Sequence, residues 1–137
     1  MSDDIMARVG AAMRLDRAEA RDALAALWDE TEDPLPRCAI AHHAADRQDD
    51  AEAELAWDER ALEAAAGLPA EQRDSFLPSL HLNLGDVHRR LHHVEAAREH
   101  LAAARANAHH LAQDEYGAMI RGGIENLARK LAGTTDA

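Results

Sequence analysis

The segment LHLNLGDVHRRLHHVEAAREHLAAA, residues 80–104, decides the fold of this chain. Leu80, Leu84, Val87 and Leu91 recur every three to four residues, which places them on one stripe of an α-helix. The polar step His92-His93 interrupts that stripe, and a second follows through Val94, Ala97, Leu101 and Ala104. Two amphipathic helices joined by so short a turn fold back on one another as antiparallel neighbours. Gly85, Ala97 and Ala104 are small where the two helices must cross closely.

Working outward, the same periodicity predicts seven helices. The first covers about residues 3–14. Asp16 with Glu19 has the capping-box spacing that satisfies free N–H groups at a helix start, and it opens a second helix through Leu24, Leu27 and Trp28. Two prolines near residues 31–36 close it, and a third helix covers about 35–47. Asp49 with Glu52 repeats the cap pattern and opens the fourth, which carries Leu55, Trp57, Ala61 and Leu62. Gly67, Pro69 and a polar run to Asp74 mark the longest connection. The fifth helix then begins near Ser75, with Pro78 tolerated in its first turn. The sixth spans about 94–111 and the seventh 114–131, with Ile120, Ile124, Leu127 and Leu131 forming one stripe. Gly122-Gly123 is costly inside that helix, and close packing on the preceding helix is the expected compensation. Residues 1–132 read as one domain and 133–137 as a disordered tail.

Composition agrees with an all-α class. Alanine (32) and leucine (16) supply most of the apolar content, whereas only four residues are aromatic. The single Cys38 has no internal disulfide partner and reads as a buried thiol. No basic, apolar leader and no membrane-length apolar run is visible, so the cytoplasm is the expected compartment. The net charge of −11 argues against nucleic acid as a partner, because phosphates demand a basic footprint. Residues 1–74 hold 19 acids and 8 bases, while residues 75–137 hold 7 of each together with seven of the nine histidines.

The hairpin also recurs. Residues 37–50 align with 80–93 at an offset of 43, and residues 16–28 match 93–105 more loosely. In the third hairpin Leu84-Gly85, His88, Ala97, Leu101 and Ala104 stand at the spacing of a tetratricopeptide repeat, which the chain resembles over about residues 16–112. The second hairpin keeps Asp50, Ala61 and Leu62, but His42 and Glu54 stand where small residues are usual. Stretches such as residues 78–84 and 116–124 are also similar to small repeat proteins of high-GC bacteria. The resemblance implies a right-handed stack of three antiparallel hairpins with the last helix as a cap. It further implies a concave groove that binds another protein or a peptide, lined by His43, Asp46, Arg47, Ser79, Leu82, Asn83, Asp86, Arg89, Arg90 and Arg121. Guanidinium forks hold carboxylates, so an acidic peptide or a C-terminal carboxylate is the sensible ligand, unless local pairs such as Asp86 with Arg90 occupy them. The alternative partner is a second copy of the chain, met through the stripe of the last helix or through exposed Trp28 and Trp57.

No phosphate-binding glycine loop, serine elbow, Cys-x-x-Cys or His-Glu-x-x-His pattern is present, so neither catalysis nor a cofactor is expected. His81, His88 and His92 share roughly one helical face and are the candidate metal ligands. A transition metal wants three or four ligands, and packing between the paired helices is the stronger reading of these side chains. Adjacent pairs such as His42-His43 point about 100° apart and are not expected to share an ion.

Overall fold

In the computed structural model, which describes residues 2–133, the chain is helical throughout and no strand occurs among the described residues. The helices are α1 (Ser2–Met13), α2 (Arg17–Glu30), α3 (Pro34–Ala45), α4 (Ala51–Ala65), α5 (Ala70–Arg90), α6 (Val94–Asn107) and α7 (Glu115–Ala132), with a 3₁₀ turn at Ala108–His110. The tail expected over 133–137 falls, after Gly133, outside the described residues. No helix among the described residues is long and apolar enough to cross a membrane. Contacts divide the chain into two compact units, one ending at Leu68 and the other starting at Pro69.

In the first unit α1 packs on α2, α3 packs on both, and α4 closes against α3. Ile5, Val9 and Ala12 of α1 meet Leu24 and Leu27 of α2 and Ile40 and Ala44 of α3 in one buried cluster. Cys38 is buried here as well. Arg8 grips Glu30 with two hydrogen bonds of 2.6 and 2.8 Å, fastening α1 to the end of α2. Asp49 does not cap α4 as its spacing suggests. Asp50 does, accepting from the Glu52 N–H, while Asp49 accepts from Arg17 and Arg21 of α2 at 2.9 and 3.0 Å. Asp16 stands before α2 but makes no side-chain cap bond.

In the second unit α5, α6 and α7 are mutually packed. The stripe Ile120, Ile124, Leu127 and Leu131 of α7 joins Ala97, Leu101 and Ala104 of α6 in the core, so it faces its own hairpin. The fifth helix starts five residues earlier than Ser75, at Ala70. The run Ala70-Glu-Gln-Arg-Asp is polar but composed mostly of good helix formers, and it supplies an exposed first turn. Pro78 therefore lies well inside the helix, where a missing N–H and ring crowding cost about 3 kcal/mol. Its ring is fully buried, and that apolar burial offsets part of the cost.

The turn after α5 has the hydrogen bonds of a Schellman cap: His92 N–H to the Arg89 carbonyl and His93 N–H to the His88 carbonyl. Such a cap needs one left-handed residue, and His92 supplies it with φ 65°. At the other end of the unit Asp114 caps α7 by accepting from the Gly117 N–H at 2.8 Å.

The glycine pair in α7 resolves into two different residues. A Cβ on Gly123 would meet Leu82 of α5 at 2.8 Å, whereas one on Gly122 would meet nothing. Gly85 is tighter still, because its Cβ would press on Leu127 of α7, the Ala97 carbonyl and His100 of α6. The close packing expected for the pair thus rests on one glycine and is made against α5.

Candidate functional site

In the first unit the two tryptophans meet edge to face, with ring centroids 5.6 Å apart. Trp28 comes from the last turns of α2 and Trp57 from α4, and both pack on the apolar cluster. Both indoles are half-buried rather than freely exposed. The Arg37 guanidinium lies over the Trp28 ring at 4.2 Å, and that of Arg60 lies over Trp57 at 4.4 Å. Arg37 is anchored by its own chain, donating to the carbonyls of Thr31 and Trp28. Arg60 is exposed and makes no hydrogen bond or ion pair with any described residue.

These groups open onto a cleft of about 250 Å³ whose walls include Trp28, Pro34, Arg37 and Arg60, with Glu32 and Glu63 also at its lining. A guanidinium resting on an aromatic face is held in place yet keeps its in-plane donors available. Chemically, the cleft offers an apolar wall beside one pre-oriented cationic fork.

The residues expected to line a groove are placed as follows. His43 is half-buried and Asp46 exposed near the end of α3, and Arg47 donates to the His43 carbonyl at 2.9 Å. On α5, Ser79 is buried with its hydroxyl donating to the Phe76 carbonyl. Leu82 packs on the core of the second unit, and Asn83 is half-buried. Asp86 accepts from Arg89 at 2.9 Å and from Arg90 at 3.1 Å. Arg121 donates to the carbonyls of Leu111 and Ala112, tying α7 to the chain that enters it. Most of these cations therefore serve their own chain.

The histidines of the α5–α6 hairpin form an array. The Nδ1 atoms of His81 and His100 lie 3.0 Å apart, as do those of His88 and His93, and the His88 and His100 rings stack at 5.4 Å with 8° between their planes. In each close pair one Nδ1 must carry the proton and the other accept it. Burial, with His81 and His88 alongside, lowers the His100 imidazole to about 4. His92 does not share this face, because it lies outside α5 in the turn.

Three other ligand-type side chains converge in the first unit. One ligand atom from each of His42, His43 and Asp46 lies within 4.8 Å of the other two, so the adjacent histidines do bring ring nitrogens close together. Their rings are tilted by 58° with centroids 5.1 Å apart.

No family model, no curated protein and no solved structure matches the chain. Of these sites, the Trp–Arg cleft was the least visible in the sequence. Trp57 and Arg60 stand one helical turn apart, which is a readable signal. Nothing in the spacing of Trp28, Arg37 and Trp57 announces that they meet.

Proposed function

We propose that the chain is a non-catalytic interaction module built from tetratricopeptide-like hairpins, stacked right-handedly, whose partner is a peptide carrying a carboxylate. The likeness is supported by the burial of Gly85, Ala97 and Ala104, the positions where the repeat demands small residues. It is also supported by the packing of α3 on α1 and α2 and of α7 on α5 and α6.

The single observation that carries the binding reading is Arg60, held over Trp57 at 4.4 Å with no hydrogen bond or ion pair to an acceptor among the described residues. Tryptophan and arginine dominate the energetics of protein recognition because both offer large, stiff contact surfaces. Glu32 and Glu63 at the same cleft disfavour a run of acids. The fitting ligand is one carboxylate next to an apolar side chain, as a C-terminal residue presents. A peptide array displaying free C-termini tests this: retention that vanishes when the same peptides are amidated supports the reading, and equal retention of both forms removes it.

A further inference from the structure

The end of α3 carries a second kind of chemistry, unrelated to the peptide reading. We infer that His42, His43 and Asp46 form a binding site for a divalent transition-metal ion of the zinc class. Two imidazoles and one carboxylate supply the nitrogen and oxygen donors such ions prefer, and three protein ligands leave a position open to water.

The geometry comes from the helix end. His43 and Asp46 are one turn apart, and so are His42 and Asp46, and the two neighbouring imidazoles have centroids 5.1 Å apart. All three ligand atoms already lie within 4.8 Å of one another, so rotamer adjustment without backbone movement draws them onto one ion. Asp46 occupies the C-cap position of α3, where the partial negative charge of the helix end favours a cation. The surrounding residues 1–74 carry 19 acids against 8 bases, which raises the local concentration of cations further.

Two arginines come near. Arg47 donates to the His43 carbonyl and Arg17 to the Asp46 carbonyl, so both are engaged by main-chain oxygens and the Asp46 carboxylate stays exposed.

Tag-free full-length protein titrated with Co²⁺, read by its visible absorption, and then displaced by Zn²⁺ tests the site. One ion per chain is expected, with affinity reduced at least about tenfold in Asp46→Asn, since loss even of an outer partner costs that much. Asp46→Asn keeps the carbonyl that Arg17 uses, so the fold is retained, and an unchanged thermal midpoint verifies it. His88→Gln serves as the control and should bind normally. Absence of stoichiometric binding, binding indifferent to Asp46→Asn, or binding lost in His88→Gln would each overturn the assignment, the last by placing the ion in the hairpin array.

Discussion

Gly85 and Gly122 show how differently one residue type can act within a single unit. Alanine at Gly122 meets no atom within 4 Å, so it gains only helix propensity. Gly122→Ala should raise stability by roughly 0.5–1 kcal/mol. At Gly85 the new methyl would press on Leu127 at 2.7 Å and on the Ala97 carbonyl at 3.4 Å, where three helices converge. Gly85→Ala should therefore lower stability by about 1–3 kcal/mol. Thermal melts of the two variants followed by circular dichroism check the opposite signs. His92 offers a third residue-scale test. Its φ of 65° lies in the region that favours glycine, and its side chain is exposed. His92→Gly is expected to stabilise the chain by up to about 1 kcal/mol, and a loss of stability would show that the imidazole contributes more than the backbone strain removes.

At the scale of elements, the α5–α6 hairpin couples packing to protonation. The unfolded chain takes up a proton on His100 near pH 6.5, whereas the folded hairpin refuses it until about 4. Between those values the unfolded state binds more protons, so stability rises with pH and is lost progressively on acidification through that window. Burial lowers His81 in the same direction. Amide exchange of α5 and α6 should accelerate as pH falls across the window, after correction for intrinsic rates, and His100→Gln should flatten the dependence. Helical spacing made this hairpin legible, down to the small residues at its crossing. Its details were less so. The exposed polar start of α5 carries no apolar stripe to distinguish it from a loop, and the turn at His92 uses a residue that is not the usual glycine. The cap of α4 lies one residue beyond the position its spacing suggests, because Asp49 and Asp50 are chemically identical. Only the presence of Arg17 and Arg21 across the gap separates their roles.

For the molecule as a whole, charge and chemistry are distributed between two units. The first carries the acidic excess, the tryptophans and the His42–His43–Asp46 group, and the second carries the imidazole array. The all-α class was legible from alanine, leucine and periodicity. The cleft was not, because it depends on Trp28, Arg37, Trp57 and Arg60 meeting from three different helices. Likewise, the cations expected to bind a ligand are spent on Asp86 and on main-chain carbonyls, a fate set by rotamers that spacing does not encode. The chain has two tryptophans, Trp28 lining the cleft and Trp57 packed edge to face against it, so tryptophan emission reports on this region. The most direct test is to follow tryptophan emission while titrating an N-acetylated apolar dipeptide with a free C-terminal carboxylate. Carboxylate binding at this cleft predicts a saturable change that is abolished by Arg60→Ala and retained in the double variant Arg89→Ala with Arg90→Ala. A flat titration, or a response unaltered by Arg60→Ala, would contradict it.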